Sequence, residues 1–166
     1  HYPDTEVVVA GKSIVKSRTL KDRIKIGGYG KYLRSYINEW ELGFRIEFLG
    51  KLSAEEMKEQ YLQCHTYVCA SSLENSPNSM AEAMLLGVPV VASNTGGIPS
   101  MITDYQDGLL FQKGNSEQLA LRIIELWDNE ELENQISQNA QNRAFLTYNP
   151  DKNYERLIEI YNDIVK

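Results

Sequence analysis

The sequence has few cysteines, no long apolar run and no excess of positive charge. Cys64 and Cys69 are its only cysteines and have no metal-ligand motif around them, so we expect reduced packing residues. No apolar stretch approaches the roughly 18 residues of a membrane span. The formal net charge of −6 argues against non-specific nucleic-acid binding, which needs a basic surface. These absences favour a cytoplasmic globular protein that binds neither nucleic acid nor zinc.

Short apolar runs alternate with amphipathic segments along the 166 residues, which is typical of a parallel sheet flanked by helices. Strands are predicted at 6–10, 45–49, 65–70, 88–92 and 108–111, and helices at 29–42, from 53, and at 78–87, 116–128, 130–145 and 150–165. Ser53 and Glu56 have the spacing of a capping box. The sequence therefore predicts a single α/β domain over 1–166, an open parallel Rossmann-like sheet with a helical C-terminal end.

The loops after the predicted strands are rich in glycine, hydroxyl and lysine side chains. In an open parallel sheet, ligands bind outside the carboxyl ends of the strands. The loops at that edge contain Gly11-Lys12-Ser13, Gly50-Lys51-Leu52, Ser71 to Glu74, and Ser93 to Gly97. Their composition suits a phosphate-bearing ligand, although strand-end loops are commonly small and polar in any case.

The predicted helix from Asn78 is apolar nearly all round, with Glu82 as its only charge. We expect such a helix to be buried, so that this carboxylate needs a basic partner or the hydroxyls of a ligand. Free N–H groups at the helix start suit a phosphate, and Glu82 lies about one turn (~5.4 Å) inside. Glu74, in the preceding loop, could reach the group beyond the phosphate. The alternatives are a structural salt bridge for Glu82 and an exposed loop charge for Glu74.

A longer motif surrounds these two glutamates. Glu74-x7-Glu82 is followed by Ala83-Met84, by Gly-Val-Pro-Val-Val-Ala-Ser at 87–93 and by Gly-Gly-Ile-Pro at 96–99. This string resembles the donor-site signature of the group 1 (family 4) glycosyltransferases, which are retaining enzymes of the two-domain GT-B fold. The resemblance implies the C-terminal, nucleotide-sugar-binding domain of such an enzyme. We expect a fragment that lacks the acceptor-binding domain and the first β-α unit and is nearly inactive alone.

The resemblance also implies a role for each matching residue. Glu74 contacts the donor sugar and is the candidate catalytic residue, and Glu82 holds the ribose hydroxyls. The remaining substrate-binding candidates are Asn78, Ser79 and Met80, whose backbone amides meet the diphosphate, Gly50, Lys51 and Leu52, where the base packs, and Gly11 and Lys12 in the first strand-end loop. The sequence departs from the family pattern at 75–77, where Asn-Ser-Pro replaces Gly-Phe-Gly, and at Ser100, where a glutamate is frequent.

The implied reaction transfers a sugar from a nucleoside diphosphate sugar to an acceptor hydroxyl in glycan or polysaccharide synthesis. The family usually needs no metal or other cofactor. From the family we also expect a glycan or lipid-linked acceptor, bound through the N-terminal domain, and peripheral association with the inner face of a membrane.

Three other functions stay open at this stage. Residues 24–30 resemble the glycine-rich turn of a dinucleotide-binding dehydrogenase, with Glu47 as the acidic residue, but Leu33 stands where the third glycine should be. The chain could also be a non-catalytic nucleotide-binding or interaction module of the same fold. The third alternative is a sugar-nucleotide epimerase of GT-B architecture.

Overall fold

The computed structural model describes residues 5–11 and 28–165. Contacts divide the chain into two compact units, His1–Glu59 and Gln60–Lys166. Lys12 and the first part of the glycine-rich turn at 24–30 lie outside the described residues.

The first unit contains a parallel pair of strands. Strand β1 (Val7–Ala10) pairs with β2 (Ile46–Gly50), and Glu47 lies opposite Val8 in the middle of the pair. Helix α1 (Gly28–Glu39) lies between them in sequence and is followed by a 3-10 turn at Leu42–Phe44. Glu47 is therefore not at a strand end, where a dinucleotide-binding acidic residue would be needed.

Helix α2 (Ala54–Gln63) starts with the predicted capping box. The Ser53 amide donates to Glu56 Oε2 at 2.7 Å, and the Glu56 amide donates to Ser53 Oγ at 3.2 Å. These two bonds satisfy two backbone donors that a helix start otherwise leaves open. The prediction from the sequence spacing is confirmed.

The second unit is built on a parallel sheet in the order β3-β4-β5. Its strands are β3 (Tyr67–Cys69), β4 (Val90–Asn94) and β5 (Leu109–Gln112). Its helices are α3 (Asn78–Leu85), α4 (Ile98–Met101), α5 (Ser116–Trp127), α6 (Glu130–Thr147) and α7 (Pro150–Val165). Parallel strands with helices between and after them confirm the predicted α/β class.

Strand β4 is the centre of this sheet and is covered on both faces. The side chains of its first four residues, 90–93, are at most 1% exposed. Val91 packs with Leu109, Leu126 and Ile136 in the main apolar cluster of the unit. An apolar run without alternation predicts such a strand, because neither face meets water.

The structure differs from the sequence prediction mainly at element ends. Strand β3 is three residues long rather than the six predicted, and the one-turn helix α4 was not predicted. Helix α1 ends at Glu39, and Glu41 just beyond it has a left-handed backbone with φ +52°, which cannot continue a right-handed helix. Cys69 is buried as expected, but Cys64 is exposed, so its assignment as a packing residue is wrong.

Candidate functional site

Two loops meet at the carboxyl edge of the second sheet. One follows β3 and carries Glu74, and the other follows β4 and carries Gly96 and Gly97. The Ser93 hydroxyl donates to the Ser71 carbonyl at 2.7 Å, and the Gly97 amide donates to the Glu74 carbonyl at 3.0 Å. A third bond joins the Thr95 hydroxyl to the Ser72 carbonyl at 3.3 Å. These hydrogen bonds therefore fix the backbone of the Glu74 loop against the end of β4.

The close approach of these loops explains the Gly-Gly pair. A Cβ atom on Gly96 would lie 1.8 Å from the Glu74 carbonyl oxygen, and one on Gly97 would lie 1.7 Å from that of Asn75. Gly96 also has φ +54°, a left-handed conformation that favours glycine. Only glycine fits at both positions.

The side chain of Glu74 is half-buried beside this contact. Its Oε1 atom accepts a hydrogen bond from the Asn75 amide at 3.1 Å. No ion pair within residues 5–11 and 28–165 includes Glu74. The backbone is thus fixed while Oε2 remains able to accept a further hydrogen bond.

Helix α3 begins directly after this loop, with Pro77 as its N-cap. Proline has no side-chain acceptor, and its carbonyl takes the amides of Met80 at 3.0 Å and Ala81 at 3.3 Å. The amides of Asn78 and Ser79 have no hydrogen-bond partner within the described part of the chain. Two of the three amides predicted to face a phosphate are thus uncommitted at the positive end of the helix dipole, whereas the Met80 amide already donates once.

Glu82 is exposed, so the prediction that its carboxylate is buried is wrong. Helix α3 buries Met80, Ala81, Ala83 and Met84, but Asn78 and Glu82, one turn apart, both lie on an exposed strip. The Glu82 carboxylate therefore does not need a basic side chain or a ligand to offset the cost of burial. The alternative of a salt bridge is not found either, since no ion pair recorded for the described residues involves Glu82.

The partner of Glu82 is a tyrosine that the sequence analysis missed. Tyr61 is 3% exposed, and its hydroxyl donates to Glu82 Oε2 at 3.2 Å. Its ring meets that of Tyr67 edge-to-face at 5.8 Å between centroids, and the Tyr67 hydroxyl is 2.7 Å from Ser79 Oγ. Spacing along α2 indicates that Tyr61 faces inward, but it does not show where the hydroxyl points.

Burial raises the pKa of both tyrosines above the ordinary value near 10, and the Glu82 carboxylate adds to the rise at Tyr61. Both hydroxyls therefore stay protonated throughout the neutral range. A protonated phenol beside a carboxylate acts as a hydrogen-bond donor.

The strand-end residues of the first unit also meet. The Gly11 amide donates to the Gly50 carbonyl at 2.7 Å, and both glycines have positive φ, +123° and +80°. Lys51 is exposed and Leu52 is half-buried just beyond them. The two predicted loops of this unit thus share one edge of the β1–β2 pair.

Metal-binding clusters and membrane-spanning helices are absent from residues 5–11 and 28–165. No group of three or more His, Cys, Asp or Glu side chains there could hold a metal ion. No helix in those ranges combines the length and hydropathy needed to cross a membrane.

An open depression of about 560 Å³ lies beside the ends of β4 and β5. Its lining includes Asn94, Asp104 and Arg122 but neither Glu74 nor Glu82. Arg122 is paired with Glu125 at 3.0 Å and with Asp104 at 3.7 Å. The charge of Arg122 is thus compensated, although Lys113 also lines the depression. The loop after β3 with the start of α3 is the stronger candidate, because it carries the residues predicted from the sequence.

Comparison with known proteins identifies a family and a fold. Residues 1–143 match the family model described as glycosyl transferases group 1. The chain is 33% identical over 96 residues to the uncharacterized glycosyltransferase MJ1178 of Methanocaldococcus jannaschii, which is 58% of this chain and 27% of that protein. It is 27% identical over 170 residues to the amylovoran biosynthesis glycosyltransferase AmsK of Erwinia amylovora, covering 94% of this chain and 42% of that protein. The chain thus spans less than half the length of either relative.

The fold matches that of solved structures. The crystal structure of Anabaena Alr3699/HepE in complex with UDP superposes with a TM-score of 0.83 at 23% identity, covering 97% of this chain and 42% of that chain. At this level of identity the match shows the fold alone.

Proposed function

Because the chain belongs to the glycosyl transferases of group 1, we propose that it binds a nucleoside diphosphate sugar for transfer to an acceptor hydroxyl. The observation that carries this proposal is the edge formed by the Glu74 loop and the start of α3. Within nine residues, 74–82, this edge presents the Glu74 carboxylate on a fixed backbone, the amides of Asn78 and Ser79, which have no hydrogen-bond partner among the described residues, and the exposed carboxylate of Glu82. HepE, which shares the fold, was crystallised with UDP and with UDP-glucose.

In this proposal the diphosphate lies at the N-terminus of α3. The amides of Asn78 and Ser79 donate to its oxygens, and the helix dipole stabilises the negative charge that grows on the leaving group. The Met80 amide contributes as a shared donor, since it also bonds the Pro77 carbonyl. This arrangement supplies stabilisation without a metal ion.

The two glutamates contact the groups on either side of the diphosphate. The exposed carboxylate of Glu82 accepts hydrogen bonds from the ribose diol. Glu74, held by the loop contact with Gly96 and Gly97, positions the donor sugar rather than attacking it. The bond from the anomeric carbon to the diphosphate breaks, and the acceptor oxygen forms the new glycosidic bond to that carbon with retention of configuration. An oxygen of the leaving diphosphate takes the acceptor proton.

The other predicted contacts belong to the first unit. Gly11, Gly50, Lys51 and Leu52 share one edge of the β1–β2 pair and stay predicted substrate-binding residues there. The acceptor is a glycan or lipid-linked saccharide bound by a further domain of the full-length protein, at the inner face of a membrane. The similarity to AmsK, named for amylovoran biosynthesis, supports polysaccharide assembly.

Two substitutions in the full-length protein test this function. Glu82→Ala should weaken donor binding with little change in turnover, and Glu74→Ala should lower kcat with little change in donor affinity. A thermal-shift screen of nucleotide sugars identifies the donor, titration calorimetry gives Kd, and release of nucleoside diphosphate gives kcat. Glu159→Ala, at an exposed position on α7, is the matched control.

Each result has a defined meaning. Unchanged kinetics in both variants would refute the site assignment. Donor binding without turnover by the wild-type protein would favour the non-catalytic module, and binding of NAD instead would favour the dehydrogenase.

A further inference from the structure

Tyr61 and Glu82 form a contact between helices that are separated in sequence. The tyrosine lies on α2 and the glutamate on α3, 21 residues later, with 3.2 Å between Tyr61 Oη and Glu82 Oε2. One member is buried and the other exposed. A buried group with few accessible conformations therefore holds a side chain that would otherwise be free to turn.

The tyrosine itself is well fixed. Its ring is 3% exposed and meets the Tyr67 ring edge-to-face, and the Tyr67 hydroxyl contacts Ser79 on α3. Each hydroxyl of this tyrosine pair thus reaches one polar side chain on the helix that is proposed to bind the donor. The pair ties α2 and β3 to that helix.

An exposed glutamate samples many rotamers, and ordering it when a ligand binds costs affinity. A hydrogen bond already made to one carboxylate oxygen reduces that cost. Glu82 Oε1 has no hydrogen-bond partner within the described residues, and Oε2 retains a second lone pair. Two acceptor sites thus stay open while the bond from Tyr61 restricts the rotation of the side chain.

We propose that Tyr61 is a positioning residue for donor recognition, holding Glu82 in the orientation in which its carboxylate accepts the two hydroxyls of the ribose diol. This inference rests on the proposed function, because it presupposes that Glu82 accepts hydrogen bonds from the ribose. It adds a residue on a different helix to the recognition of the nucleotide. Tyr61 acts through Glu82 and does not touch the donor itself.

The raised pKa of Tyr61 supports this role, because burial and the nearby carboxylate keep the phenol protonated. A phenolate would repel Glu82 instead of orienting it. Phenylalanine at position 61 would fill the same space and keep the ring contact with Tyr67. Tyr61→Phe therefore removes the hydroxyl that donates the hydrogen bond to Glu82, with little effect on packing.

The experiment measures how strongly the full-length protein prefers a ribonucleotide over its 2′-deoxy form. UDP, GDP and ADP are each titrated together with the matching 2′-deoxy nucleotide, and the tightest-binding pair is used. The ratio of the two Kd values is taken on one preparation, so any loss of folded protein cancels. Tyr61→Phe should reduce the preference by about fivefold, the effect of one hydrogen bond.

Glu82→Ala should abolish the preference, and the double variant should show no further loss from Tyr61→Phe. Tyr105→Phe is the control, since it removes another tyrosine hydroxyl that contacts a glutamate, here both carboxylate oxygens of Glu125 at 3.0 Å, together with its bond from Arg122. That variant should keep the wild-type preference.

The role of Tyr61 and the proposed function can be refuted separately. If Glu82→Ala loses the preference but Tyr61→Phe keeps it, Tyr61 has only a packing role and the proposed function stands. If Glu82→Ala keeps the preference, the role proposed for Glu82 is wrong. If none of the nucleotides binds to the wild-type protein, the proposed function as a whole is wrong.

Discussion

Gly96→Ala should displace the loop that carries Glu74. The added methyl would lie 1.8 Å from the Glu74 carbonyl oxygen, whereas real Cβ contacts essentially never fall under 3.0 Å. The methyl group is attached directly to the backbone and the oxygen belongs to the backbone, so no side-chain rotation relieves the clash. The Glu74 carbonyl oxygen must therefore move away by more than about 1 Å. The hydrogen bond from the Gly97 amide to the same oxygen, 3.0 Å long, is then lost.

A shift of this size near the reacting groups lowers kcat on the order of 100-fold. The left-handed φ of +54° at Gly96 adds a separate cost in stability of about 1 kcal/mol. The rate is measured as release of nucleoside diphosphate by the full-length protein at saturating donor. Stability is followed as Tm.

Two further variants separate displacement from backbone strain. Gly114 has φ +80° with no atom within 4 Å of an added Cβ, so Gly114→Ala should lower Tm by about 3 °C and leave kcat unchanged. Gly97 has an ordinary φ of −88°, yet its added Cβ would lie 1.7 Å from the Asn75 carbonyl oxygen. Gly97→Ala should therefore lower kcat without the loss of stability that a left-handed φ adds in Gly96→Ala. Wild-type kcat in both Gly96→Ala and Gly97→Ala would refute the reasoning.

Two remaining predictions concern stability. Ser53→Ala should cost about 1 kcal/mol, measured by urea unfolding, because it removes a helix cap. Hydrogen bonds from Ser53, that of its backbone amide first, hold the pKa of Glu56 below its usual value near 4.5, so their stabilisation is present above that pH and is lost as pH falls below it. Because Ser53→Ala keeps this amide, the variant that should flatten the pH dependence is Glu56→Gln. Arg143→Ala should lower the free energy of unfolding by about 2 kcal/mol, because the buried Asp107 carboxylate loses its guanidinium partner at 2.8 Å.

Controls for these two predictions are available on exposed surfaces. Glu55→Ala alters the same first turn of α2 without touching the cap, and its pH dependence should match the wild type. Arg156→Ala removes an exposed arginine on α7 and should change the free energy of unfolding by less than about 0.5 kcal/mol. Equal losses in Arg143→Ala and Arg156→Ala would contradict the role given to the Asp107 pair.

Local patterns in the sequence determined the order and type of most elements. The capping box at Ser53 and the unbroken apolar run of β4 each depend on neighbours in the chain. Their structures follow from hydrogen-bonding and burial rules that act over a few residues. The family motif likewise identified the Glu74 loop and the start of α3 as the candidate site.

The surroundings of the site residues depended on tertiary packing. Glu82 belongs to an apolar helix, but which strip of α3 stays exposed depends on the elements that pack against it. Its contact with Tyr61 spans 21 residues, and the clash that requires Gly96 involves Glu74, 22 residues earlier. Spacing along the chain sets the face on which a side chain lies, whereas only the packing of distant segments decides what it meets there.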